Sequence, residues 1–288
     1  ESGGSVSDDV IDAFIDVASQ QELSKGIRAE ILSIPGVPSI GESFETIQVS
    51  RLHEIRQSIL KKLATVGQST LKEIFNQNQT LDPSLSISDV WAQRGLKNVC
   101  LQLLSYGQTE EVEAFIEGQF ATSTNMSDTL GALKAAQNNY SELFEDMMEQ
   151  FDSKWQHDGL VMDKWFALQA TREDVALVAN LRELTRHQAF SWDNPNRVRS
   201  LVGSFVMNNY LHFHAKDGSG YKFLTEVLEM VDPKNPQLSA ALVTPFMMWK
   251  RLELPHQMLV QDQLKHLQQM KGLSKDLSEK VEKSLLLT

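Results

Sequence analysis

His53-Glu54-Ile55-Arg56-Gln57 sets an imidazole beside a carboxylate, the opening of a motif that hydrolyses bonds with zinc. That chemistry needs two imidazoles one helical turn apart to hold the metal while the glutamate acts as general base. Gln57 stands where the second imidazole is required, and an amide is not an ordinary zinc ligand, so the segment reads as a solvated helix face. His212 and His214 lie two residues apart in a loop that could pinch a cation, yet no third ligand stands in an obvious place. A structural role before Asp217 is the reading for His214. Asp217-Gly218-Ser219-Gly220-Tyr221 has the glycines of a phosphate loop but lacks the order G-x-x-x-x-G-K-[ST], and no predicted strand precedes it. A helix start accounts for it: Asp217 or Ser219 accepts hydrogen bonds from free N–H groups, and the glycines permit the turn that brings Tyr221, Leu224 and Leu228 onto a packing face.

Cys100 is the one cysteine, which excludes an internal disulfide and any multi-cysteine zinc site. Set in an apolar stripe, its thiol is expected to be buried and inert, and single-cysteine usage fits a reducing, cytoplasmic compartment. Arg197 and Arg199 project about 200° from one another on a helix and do not easily serve one partner. No set of metal ligands stands out among these residues.

The elements that position these groups read as helices throughout. Apolar residues recur at i, i+3, i+4 and i+7, and the alternation of half-buried strands is missing. Ile55, Ile59, Leu63 and Val66 form one stripe, Leu96, Val99, Cys100 and Leu103 a second, and Val198, Leu201, Val202 and Phe205 a third, each expected to face a neighbouring helix. Ser7, Ser88 and Asn194 are the expected caps, with Pro195 at the first helical position. Breaks are expected at Pro35-Gly36-Val37-Pro38, Leu81-Asp82-Pro83 and Val231-Asp232-Pro233. Trp155, Trp165 and Phe166 read as core, as do Met207, Met230, Met247, Met248 and Met258. A terminal helix carrying Leu277, Val281 and Leu285 is expected within Leu273 to Thr288, fraying only at its end.

About a dozen short helices joined by tight turns, with no shift of composition, predict one all-α domain over residues 1–288: an irregular, solenoid-like α-α superhelix of antiparallel helix pairs. The consensus words of tetratricopeptide and HEAT arrays are absent. With 41% hydrophobic side chains the chain can bury a sizeable core. A formal charge of -11 argues against nucleic acid as a partner, because basic groups carry most of that affinity. No stretch approaches the roughly 18 apolar residues of a membrane span. The chain opens on Glu1 rather than methionine, so a processed or fragmentary amino terminus is expected.

Asn194-Pro195-Asn196-Arg197-Val198-Arg199-Ser200-Leu201, then Phe213-His214-Ala215-Lys216-Asp217-Gly218-Ser219-Gly220-Tyr221, then Asn235-Pro236-Gln237 follow one another in a particular order and spacing. Together with Arg28-Ala29-Glu30-Ile31-Leu32, Asn125-Met126-Ser127-Asp128 and Gly159-Leu160-Val161-Met162-Asp163-Lys164-Trp165-Phe166, they resemble the C-terminal helical domain of the aminopeptidase N family, bacterial-type alanyl aminopeptidases of the zinc metallopeptidases. Nearly the whole chain is covered.

The resemblance implies a parent enzyme that removes N-terminal residues from peptides, with its zinc motif upstream and no zinc held by these residues. Its catalytic domain and peptide substrates would be the partners, and this part would enclose the active-site cavity and limit entry. By the same resemblance, Arg199 and Gln237 are the expected substrate contacts, reaching the peptide beyond the scissile bond. Forked guanidinium donors suit a peptide carbonyl or carboxylate. Where relatives commonly carry a further arginine, this chain has Ala241, so its grip on the downstream part of a peptide is expected to differ. The rival reading is a freestanding helical scaffold that binds a protein segment in its groove.

Overall fold

Helices begin where short polar side chains satisfy their free N–H groups. In the computed structural model, which describes residues 6–80, 82–174 and 176–286, Ser24 Oγ accepts from Ile27 N, Ser86 Oγ from Asp89 N and Asn125 Oδ1 from Asp128 N. Asp158 accepts from Leu160 N and Val161 N, and Asn194 accepts from Asn196 N and Arg197 N with Pro195 in the first turn. Ser86, not Ser88, thus caps the helix of Trp91; Ser88 Oγ lies 2.8 Å from Ser86 Oγ. Ser7 precedes the first helix without a side-chain capping bond.

The helices are, in order, α1 (Asp8–Ser19), α2 (Lys25–Leu32), α3 (Val37–Gly41), α4 (Val49–Val66), α5 (Gln68–Gln77), α6 (Ile87–Ser105), α7 (Glu110–Thr122), α8 (Met126–Ala136), α9 (Ser141–Trp155), α10 (Gly159–Ala170), α11 (Leu177–Leu184), α12 (Pro195–Val198), α13 (Ser204–Asn208), α14 (Tyr210–Phe213), α15 (Ser219–Val231), α16 (Pro236–Leu242), α17 (Leu254–Gln269) and α18 (Lys275–Leu286). A π-helical segment, Arg199–Gly203, joins α12 to α13, and a 3₁₀ segment, Thr244–Arg251, precedes α17. The helices outnumber the expected dozen because pieces of four or five residues such as α3, α12, α13 and α14 are too short for periodicity to reveal. Among the described residues there is no strand, and no helix is long and apolar enough to cross a membrane.

Contacts divide the chain into two compact units: the residues up to Pro35 with Glu54–Gln150, and Gly36–His53 with the residues from Phe151 onward. In the first unit α6 is central and packs on α2, α5, α7 and α8. Leu96, Cys100 and Leu103 of its predicted stripe are buried, and burial pushes the Cys100 thiol up to about 12. On its polar side Lys97 Nζ donates to Asp128 Oδ2 at 2.9 Å and Asn98 Nδ2 to Asp128 Oδ1 at 3.1 Å. Burial raises the Asp128 carboxyl, but the bonds from Lys97, Asn125 and Asn98 outweigh it and hold the group below its usual range. The expected stripe of α4 is rotated: Leu63 is buried with Leu60 and Ala64, whereas Ile55 and Val66 are exposed at 40% and 36%.

In the second unit α10 packs on α11, α12, α13 and the π segment, and α15 packs on α14, α16 and α17. Val198, Leu201, Val202 and Phe205 are all fully buried, so the third stripe is as predicted. Trp165 and Phe166 are core, and Trp155 is half-buried. Met207, Met230 and Met258 are exposed and are not core filler. Arg251 Nη2 donates to the carbonyls of Gly41, Glu42 and Phe44, which ties the 3₁₀ segment to α3. Val37 and Pro38 open α3 instead of breaking a helix, because a proline in a first turn loses no intrahelical bond. Leu277 and Val281 are fully buried on α18 and Leu285 half-buried; Leu287 and Thr288 lie outside the described residues, as does Leu81 of the second expected break.

Candidate functional site

The Asn-Pro-Asn-Arg-Val-Arg word is one continuous helical stretch in which the two arginines part company. Arg197 is 4% exposed; its Nη1 donates to Asp163 Oδ1 at 2.9 Å and Gly159 O at 3.3 Å, and its guanidinium lies 5.0 Å from the Phe166 ring centre. It therefore bolts this word to the Gly159–Phe166 word. Arg199 is exposed, and its guanidinium meets Asn196 Oδ1 at 3.3 Å. The helix widens to π geometry from Arg199 to Gly203. Such bulges change which way successive side chains point and recur at functional sites.

Gln237 and Ala241 lie one turn apart on α16, on the face opposite the buried Leu238, Ser239 and Leu242. Asn235 sets that register by accepting from Leu238 N. Both line a groove of about 470 Å³ with Ala240 and Met247, while Asp276, Glu279, Lys280 and Lys283 of α18 form its other wall. Lys280 Nζ donates to Ala240 O at 2.6 Å and Thr244 Oγ1 at 3.3 Å. Arg199 is not a lining residue of this groove, although its π segment packs on α16. Sequence reasoning missed the α18 wall. Its only signal there is a charged face at i, i+3, i+4 and i+7, which any surface helix shows.

His214 takes the structural role read from the sequence, whereas His53 stands beside a carboxylate instead of on a fully solvated face. His53 Nε2 lies 3.5 Å from Glu173 Oε2. Burial holds His212 below its ordinary pKa against the opposing pull of Glu173 and Asp174, with the nearby His53 lowering it further. Both imidazoles feel the Glu173 carboxylate, yet among the described residues no group of three His, Cys, Asp or Glu could hold a metal ion. His214 is core: its Nδ1 pairs with the Tyr221 hydroxyl at 2.7 Å, and burial, with His256 nearby, pushes its pKa down to about 3. His256 Nε2 donates to the His214 carbonyl at 2.8 Å.

The glycine-rich word is a helix start. Asp217 Oδ1 accepts from Ser219 N at 2.9 Å, Gly218 has a φ of 69°, and a Cβ on Gly220 would stand 2.4 Å from Phe213 O.

Against these features the comparisons with known proteins decide the family. The ARM-repeat family described as a domain of unknown function, DUF3458_C, matches residues 1–286. The chain belongs to this family. Its all-α superhelical fold agrees with that membership. Aminopeptidase N of Escherichia coli (strain K12) is 37% identical over 276 residues, covering 96% of this chain and 32% of the relative. Aminopeptidase N of Haemophilus influenzae is 36% identical over 280 residues, covering 97% and 32%. The chain thus spans about a third of the length of these relatives, in their C-terminal part. Legionella pneumophila aminopeptidase A, solved in complex with aspartic acid, superposes with a TM-score of 0.88 over 97% of this chain and 34% of that one. At 24% identity that likeness speaks for the fold alone.

Proposed function

We propose that the chain is a single C-terminal helical domain, residues 1–288, of a zinc-dependent aminopeptidase that removes N-terminal residues from peptides. The observation that carries this is the 37% identity over 96% of the chain to a C-terminal part of aminopeptidase N. The parent's metal, general base and recognition of the substrate amino group belong to the upstream polypeptide, where a bound zinc would supply the Lewis-acid chemistry of hydrolysis. This domain encloses the active-site cavity and limits access to short or unfolded peptides, and shutting out bulk water strengthens the polar contacts within. Gln237 in its groove and Arg199 on the adjacent π segment contact the peptide beyond the scissile bond. A cytoplasmic location belongs to this reading, and the single cysteine supports it.

The test compares a tetrapeptide with a single-residue aminoacyl amide, which has nothing to place beyond the cleaved bond. In the complete polypeptide, Gln237→Ala and Arg199→Ala are each expected to lower the ratio of kcat/KM for tetrapeptide over amide about fivefold, the effect of about 1 kcal/mol of lost polar contact. An unchanged ratio for both variants contradicts the assignment.

A further inference from the structure

The two walls of the Gln237 groove differ in kind. Ala240, Ala241 and Met247 offer no charge, whereas the facing residues of α18 are charged and sorted along the helix, with Asp276 at one end and Lys283 at the other. Lys280 is fixed at the edge by the Ala240 carbonyl and the Thr244 hydroxyl, neither of which neutralises its charge. Lys283 is exposed and forms no ion pair among the described residues. Glu279 stands four residues before it, the spacing at which such pairs form on a helix, but the two do not pair.

We infer that the α18 wall is a carboxylate-binding subsite: Lys283, with Lys280 beside it, receives the free C-terminal carboxylate of a short peptide. This rests on the proposal that the groove takes the part of a peptide beyond the scissile bond. The seven helical steps from Asp276 to Lys283 span about 10 Å, the length of about three residues of extended peptide. A basic side chain upstream of the carboxylate then falls against Asp276 and Glu279. The small Ala241 leaves the opposite wall open and uncharged, so α18 supplies the groove's cations. The chain's net charge of -11 disfavours a lone anion at long range, which selects a zwitterionic or basic peptide over a polyanionic one.

The experiment measures kcat/KM of the complete polypeptide for one tetrapeptide as the free acid and as its C-terminal amide. The wild type is expected to prefer the acid, and Lys283→Gln to reduce the acid-to-amide ratio about fivefold, as loss of one partly exposed charge pair does. Lys283→Arg is expected to retain the preference. An unchanged ratio in Lys283→Gln overturns the inference, and if the melting temperature falls at the same time, Lys283 serves only the negative end of its helix. Gln237→Ala is run alongside on the tetrapeptide and the aminoacyl amide. If it lowers that ratio while Lys283→Gln is silent, only the carboxylate subsite fails; if both are silent, the groove is not a peptide site.

Discussion

Arg197 Nη1 and Asp163 Oδ1 meet at 2.9 Å, across 34 residues of chain, and the arginine at that contact is almost wholly buried. The pair explains why two separated words of the sequence belong together. One supplies the guanidinium; the other supplies the carboxylate, the Gly159 carbonyl and the Phe166 ring that receive it. Arg199, two residues on, is exposed, and its guanidinium meets the nearby Asn196 Oδ1.

Removing one partner of a buried pair leaves the other charge uncompensated, which costs more than the pair contributes. Asp163→Ala is expected to destabilise the protein by about 3 kcal/mol, and Asp163→Asn, which keeps an acceptor, by less. Urea unfolding midpoints check this. A change below about 0.5 kcal/mol for Asp163→Ala, the range of an ordinary surface substitution, would contradict the buried-pair account.

Two glycines should respond in opposite directions to alanine. A methyl at Gly220 meets Phe213 O at 2.4 Å, a backbone atom with no room to move, so Gly220→Ala is expected to cost about 2–3 kcal/mol. Gly118 lies within α7 with nothing within 4 Å of the added atom, so Gly118→Ala is expected to stabilise by about 0.5–1 kcal/mol. Thermal melts of the two variants should bracket the wild type.

The buried His214 makes stability depend on acid. Above about pH 6.5 its imidazole is neutral in both folded and unfolded chains, and pH does nothing through it. Between about 6.5 and the folded value of about 3, only the unfolded chain takes up the proton, so stability falls as pH falls, by up to about 1.4 kcal/mol per pH unit. His256, lowered chiefly by burial, adds a loss of the same sign. Melting temperatures from about pH 7.5 to 5.0 should decline, and His214→Gln should decline less steeply; parallel curves would show that His214 is not the group responsible.

Ala241 faces the two lysines of α18 across the groove. Ala241→Arg in the complete polypeptide is expected to lower KM about threefold for short peptides with free carboxylates, by adding a cation where this wall has none. Unchanged Michaelis constants would remove the idea that the groove handles carboxylates.

The long-period features of this fold were legible because burial repeats every turn: the stripes of α6 and of Val198–Phe205, and the cap at Asn194, stand where spacing placed them. The stripe of α4 was misjudged because its isoleucines and leucines offer two overlapping faces, and only packing selects Leu60, Leu63 and Ala64 over Ile55 and Val66. The exposed methionines were misread for a related reason, since composition does not tell which side of a helix meets a neighbour. At the groove, Gln237 and Ala241 were named through a family likeness. Lys280 and Lys283 carry no local signature, because what makes them part of the groove is the approach of α18 to α16. The nearness of His53 and His212 to Glu173 is likewise a product of folding that spacing does not encode.

The central claim is that these helices serve an aminopeptidase without holding its metal. The most direct measurement is zinc content and aminoacyl-amide hydrolysis of the purified 288-residue chain beside the complete polypeptide. The account predicts about one zinc per molecule and turnover in the complete polypeptide, and neither in the chain alone. About one tightly held zinc with turnover in the chain alone would contradict it.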